Sequence, residues 1–185
     1  SLASGHTIPP GEALSALRAL YETRSMPSLV PILPLLLQLK GKPYTLDDHF
    51  FFEPVFSLSS PGELTLCTGR QVAKTASMSA RAVIKPNAIP GYRVMFLTPL
   101  SSQVKYVSTT YVKDFITTSP LYNAWVDTSC VQAVFEKTFK SRGAILFSYA
   151  SNDPDRIRGK SVEEIIFDEF QDCMADLVMD VINET

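Results

Sequence analysis

The sequence predicts an α/β fold with a largely parallel sheet. Two observations carry this. Short apolar runs with the look of buried strands alternate with segments of helical periodicity. The strand-like runs include Glu63–Thr68, Tyr92–Leu97, Gly143–Tyr149 and Val162–Phe167, each six or seven residues long, as short buried strands are. The 185 residues suit one domain, or one and a part, and 45% hydrophobic against 19% charged residues excludes wholesale disorder. The net charge of −2 gives no global basic excess, so any nucleic-acid contact would need a local patch.

Taken in order, Gly11–Glu22 places Ala13, Leu14, Leu17, Leu20 and Tyr21 at helical spacing and predicts an amphipathic helix. The run Pro27–Leu39 is the most apolar in the chain. It is too short to span a bilayer, is interrupted by Pro31 and Pro34, and starts too late for a signal peptide. It predicts a short buried helix, and residues 1–60 read as a helical lead-in. Strands are predicted at Glu63–Thr68, Tyr92–Leu97, Val131–Phe139, Gly143–Tyr149 and Val162–Phe167. Helices are predicted at Ala76–Ile84, at Ser101–Ile116 with Ser101 or Ser102 as N-cap, and from Ala175 onward. Ser151–Lys160 reads as a polar loop. Cys67, Cys130 and Cys173 are odd in number and scattered, which argues against a disulfide framework or a zinc site and for a reducing compartment. His6 and His49 are too few for a His-rich metal site.

Two segments carry chemistry. The first is Leu66–Thr75, a predicted strand, a turn holding Lys74 and Thr75, and then a helix. A phosphate loop belongs at such a place: backbone N–H groups and a helix N-terminus cradle phosphate, a lysine reaches the terminal phosphates and a hydroxyl binds Mg²⁺. The pattern G-x-x-x-x-G-K-[ST] is not met in full. Thr68 stands at the first glycine and Ala73 at the second, and Gly69 is displaced by one position. The segment also reads as an ordinary surface turn that carries Lys-Thr. The second is Glu164–Glu169, an apolar strand ending in Asp168 and Glu169. One carboxylate at such a strand end can hold a metal shell while its neighbour faces the attacking water. It also reads as a strand followed by acids that favour a helix dipole. With the two segments in this order, on these elements, the nucleotide reading is the stronger.

On these residues the sequence resembles the ATPase domain of the large terminase subunit, the DNA-packaging motor of tailed bacteriophages. Gly69–Thr75 resembles that family's Walker A, with Arg70 and Gln71 inside the loop. Phe96–Pro99 with Gln103, Thr118–Pro120, Ile157–Ser161 and Ile165–Asp172 resemble its later segments, and the resemblance covers about residues 45–180. It implies a P-loop NTPase fold of the RecA-like type, a mostly parallel sheet flanked by helices, with 1–60 as lead-in and 61–185 as the ATPase core. It implies ATP and Mg²⁺ as cofactors, with Gly69, Arg70, Gln71, Val72, Ala73, Lys74 and Thr75 around the nucleotide. Thr75 and Asp168 would hold the metal, Glu169 would activate water, and Arg70 would stabilise transition-state charge. Arg156 or Arg158 would reach a neighbouring subunit's nucleotide, and a salt bridge to Asp153, Asp155 or Glu163 is the alternative for them.

The implied partners are double-stranded DNA, a portal protein, a small terminase subunit and further copies in a ring, in the host cytoplasm and with no membrane. The family's adenine-contacting aromatic-Gln pair has no Gln here. Its place falls near Phe50 and Phe51, and Phe50, Phe51, Phe52 and Phe56 as a group read as core. The resemblance also implies that a strand following this segment belongs between Leu64–Thr68 and Ile165–Phe167, so the sheet is incomplete here and the chain continues beyond Thr185. Two other functions stay open: another P-loop NTPase of helicase or RecA-like type, and a degenerate P-loop module kept for assembly without turnover.

Overall fold

A computed structural model of the chain describes residues 8–59, 62–67, 73–149 and 161–173. The predicted helix from 175 onward, the loop at 151–160 and residues 68–72 of the phosphate loop lie outside them.

The described elements form a mixed α/β structure. The helix α1 (Pro10–Thr23) buries Leu14 and Leu17 and starts on a proline, which costs no hydrogen bond in a first turn. The apolar run is not one helix. Pro31 and Pro34 each sit where a new turn can begin, giving a 3₁₀ turn, Val30–Ile32, followed by the one-turn helix α2 (Leu33–Leu36). A small antiparallel hairpin follows, β1 (Gln38–Leu39) with β2 (Lys42–Pro43), and then a 3₁₀ helix over Phe50–Phe56.

The helix α3 (Lys74–Ala88) begins two residues earlier than its periodicity suggests, so Lys74 and Thr75 lie in its first turn. It leads to β3 (Arg93–Thr98). Beyond β3, α4 (Ser101–Tyr106), a π-helical turn (Val107–Val112) and α5 (Lys113–Thr118) run on without a break. The N-cap is Leu100, not a serine, because Gln103 Oε1 accepts the Leu100 N–H at 3.1 Å. The one-turn helix α6 (Tyr122–Trp125), β4 (Glu136–Thr138), β5 (Ala144–Tyr149) and β6 (Glu164–Phe167) complete the described elements.

Four strands form the main sheet in the order β4-β5-β3-β6. β5, β3 and β6 are mutually parallel and β4 is antiparallel on the edge, so the sheet is mostly parallel. Alternation along the strands sends Val94, Phe96, Ile145, Phe147 and Ile166 into one large core, shared with α1, α2, the Phe50–Phe56 turn and α3. Met95, Leu97, Ile165 and Phe167 face the other side, where Cys173 and Val162 pack. Gly143 lets the chain pass directly over the end of α3. A Cβ there would lie 2.3 Å from the Pro86 carbonyl oxygen, so no other residue fits without displacing backbone.

Two strand predictions are corrected. Residues 63–67 form no strand, and all but Leu66 of them are exposed. A strand needs a neighbour to pair with, and among the described residues β6 pairs with β3 alone, leaving Leu64–Cys67 outside the sheet. Val131–Phe139 alternates in sequence but doubles back on itself. Thr138 N–H donates to Val131 O at 2.8 Å, and only Glu136–Thr138 joins the sheet. The four phenylalanines also divide. Phe52 and Phe56 are core, whereas Phe50 is 76% exposed and Phe51 43%. All three cysteines are free thiols.

Candidate functional site

The site forms where the N-terminus of α3 meets the carboxyl end of β6. In parallel sheets this is the edge on which ligands bind, because helix N-termini and strand C-termini converge there. Asp168 continues the ladder past β6, its N–H donating to Leu97 O at 2.9 Å, which fixes its place beside the end of β3.

Ala73 caps α3 in the left-handed region, at φ 60° and ψ 20°. Glycine occupies such a turn at no steric cost, while a residue with a Cβ pays roughly 1–2 kcal/mol. Alanine is the smallest side chain that must pay it, so the departure from the glycine pattern keeps the turn. Ser77 N–H donates to Ala73 O at 3.0 Å and starts the helix.

Thr75 Oγ1 donates to Asp168 Oδ2 at 2.7 Å across 93 residues of sequence. Lys74 Nζ stands 3.7 Å from Asp168 Oδ1 and 3.9 Å from Glu169 Oε1. Asp168 is buried, and its Oδ1 is enclosed with no hydrogen-bond donor among the described residues. The Lys74 ammonium is the charge that offsets this oxygen, at a distance too long for a hydrogen bond. A hydroxyl and a carboxylate are the hard oxygen donors that Mg²⁺ takes, with phosphates and water supplying the rest. No group of three His, Cys, Asp or Glu side chains that could hold a metal ion gathers among the described residues.

Glu169 is also backbone-strained. It sits at φ 57° and turns the chain from β6 into a 3₁₀ turn, Phe170–Asp172. A non-glycine residue in that region is uncommon, and such outliers cluster at functional sites. Its carboxylate is part exposed, and Gln171 Nε2 donates to its Oε2 at 2.5 Å. Gln171 is a contact that sequence reasoning missed. A polar residue two positions on in a charged stretch gives no signal of its own.

A second missed residue is Tyr111, in the π-helical turn. Burial pushes its hydroxyl up to about 12, with help from the Tyr106 hydroxyl and from the negative charge of Asp168. The two tyrosine rings meet edge to face at 5.7 Å. A π-turn has no periodicity signature, so nothing in Val107–Val112 announces it.

Of the residues singled out from the sequence, Ala73, Lys74, Thr75, Asp168 and Glu169 therefore come together. Gly69, Arg70, Gln71, Val72, Arg156 and Arg158 lie outside the described residues. A cavity of about 340 Å³ lies at the opposite end of α3, lined by Arg18, Tyr21, Arg24, Lys85 and their neighbours, away from Lys74. No helix among the described residues is long and apolar enough to cross a membrane. Neither models of known protein families nor curated proteins yield a match to this chain.

Proposed function

We propose that this chain is the ATPase domain of a viral DNA-packaging motor, with a P-loop NTPase fold of the RecA-like type. One observation carries the proposal. Lys74 and Thr75, at a helix N-terminus, share a buried carboxylate with a strand end 93 residues away, and a second carboxylate follows it. The mostly parallel sheet flanked by helices and the order of the sequence motifs support the same reading.

In this reading Lys74 releases Asp168 and Glu169 and turns to the β- and γ-phosphates of ATP, its charge replacing the present pairing. Thr75 Oγ1 and Asp168 Oδ1, once Lys74 has left it, would hold the metal that accompanies the nucleotide. Bound Mg²⁺ neutralises phosphate charge as it develops. Glu169 orients a water and accepts its proton, and its part-exposed position leaves room for that water. Arg70 stabilises charge on the transferring phosphoryl group, and Arg156 or Arg158 serves a neighbouring subunit in a ring. Phe50 and Phe51, exposed and stacked edge to face at 5.9 Å, offer an aromatic surface near where the family contacts adenine. Double-stranded DNA, a portal protein and a small terminase subunit are the proposed partners, in the host cytoplasm.

Hydrolysis measured with and without linear double-stranded DNA tests this function in the protein that carries this chain. DNA is expected to raise the rate of phosphate release. ATP hydrolysis that ignores DNA would replace the packaging assignment with a different P-loop NTPase. No hydrolysis under either condition would leave a degenerate P-loop module kept for assembly without turnover.

A further inference from the structure

A half-buried ionic cluster joins α3 to β6 at the end away from the candidate site. Glu164, the first residue of β6, accepts from Arg81 Nε at 2.5 Å and Arg81 Nη2 at 3.2 Å, from Lys85 Nζ at 2.5 Å and from the Tyr92 hydroxyl at 2.9 Å. Lys85 also donates to the Tyr92 hydroxyl at 3.0 Å and lies over its ring. Arg81 reaches the Val55 carbonyl as well, and Tyr21 of α1 lies within the field of Arg81 and Glu164. Burial pushes the Glu164 carboxyl up, but Arg81 and Lys85 outweigh it and hold the group below the usual carboxylate range.

The geometry is that of two elements tied at both ends. From Lys74 to Arg81 is seven residues of helix, about 10 Å. From Glu164 to Asp168 is four residues of strand, about 13 Å. α3 and β6 therefore run antiparallel, pinned at one end by Glu164 and meeting at the other through Thr75 and Asp168. A buried ion network is weak evidence for stability, since apolar packing often does as well; its best-attested use is to fix one register among several. Arg81 and Lys85 stand one turn apart on α3, so sliding α3 along β6 by one turn would leave Glu164 with one of the two cations instead of both, and the cluster favours this register over its neighbours.

We infer that Glu164 is a positioning residue, which through Arg81 and Lys85 sets the distance of Lys74 and Thr75 from Asp168 and Glu169. This rests on the nucleotide reading of that site. None of the cluster touches nucleotide or metal; it acts through α3 and β6.

The test compares the affinity for fluorescently labelled ATP with Mg²⁺ and with EDTA, in wild type, Glu164→Gln and Leu17→Ala. Leu17 is a fully buried residue of α1 and no member of the cluster, and its truncation lowers stability. Wild type is expected to bind more tightly with Mg²⁺. In Glu164→Gln that gain should fall by about 10-fold, because displaced donors no longer meet one metal. Its affinity in EDTA, which depends on Lys74 and the loop, should stay within about 2-fold. Leu17→Ala should keep the full gain. An unchanged gain in Glu164→Gln, or an equal fall in Leu17→Ala, overturns the positioning role while leaving the nucleotide site standing. A wild type that binds no ATP overturns the site itself. If Glu164→Gln does not fold, as judged by circular dichroism, Lys85→Met decides by the same readout: a smaller fall supports the role and an unchanged gain overturns it.

Discussion

Glu169→Gln is expected to cut ATP turnover by about 10²–10⁴-fold, the usual contribution of a positioned general base. ATP affinity should change by less than about 3-fold. The amide keeps the shape and the Gln171 contact but cannot accept a proton. It also removes a negative charge 3.9 Å from Lys74, so an anionic ligand loses nothing by the change. Phosphate release under saturating ATP and Mg²⁺ reads the first number, and equilibrium titration the second. Release near the wild-type rate would remove Glu169 from the catalytic role.

The largest expected effect on stability is at Phe96. It is fully buried in the central strand β3 and its ring packs on Phe147 at 5.8 Å, between the two parallel neighbours β5 and β6. Phe96→Ala removes the ring from a site that cannot collapse, because both flanking strands are held by their ladders. The expected cost is about 3–5 kcal/mol. That is a large share of the roughly 5–15 kcal/mol that holds a typical domain folded. Urea denaturation of both proteins measures it. A loss below about 1 kcal/mol would show that this part of the core repacks freely.

How far these features were legible depends on whether their cause is local. α1, β3, β5 and β6 are readable because periodicity and apolar runs are properties of the segment itself. Leu64–Cys67 has the composition of a strand and lies outside the sheet, since strand formation depends on a neighbour that no local signal supplies. Val131–Phe139 alternates correctly, yet a hydrogen bond from Thr138 back to Val131 reverses the chain within it. Phe50 and Phe52 are equally apolar, and only the 3₁₀ turn decides that one is exposed and the other buried.

The same division runs through the site. Asp168 and Glu169 were visible as acids ending an apolar run, and Lys74 and Thr75 as a cation and a hydroxyl before a helix. The Glu164 cluster was not visible. Arg81, Lys85 and Tyr92 are 72–83 residues away in sequence, and Glu164 itself reads as an ordinary strand start. Tyr111 was hidden for the same reason, since only the fold brings it within range of the Asp168 charge.

The central claim is that Lys74, Thr75, Asp168 and Glu169 make one Mg²⁺-nucleotide site. Titration of labelled ATP in Mg²⁺ against wild type and Lys74→Ala tests it most directly. Wild type is expected to bind, and the variant to bind about 10- to 100-fold more weakly, the scale of one charge-assisted phosphate contact. Equal affinity in the two proteins would contradict the account.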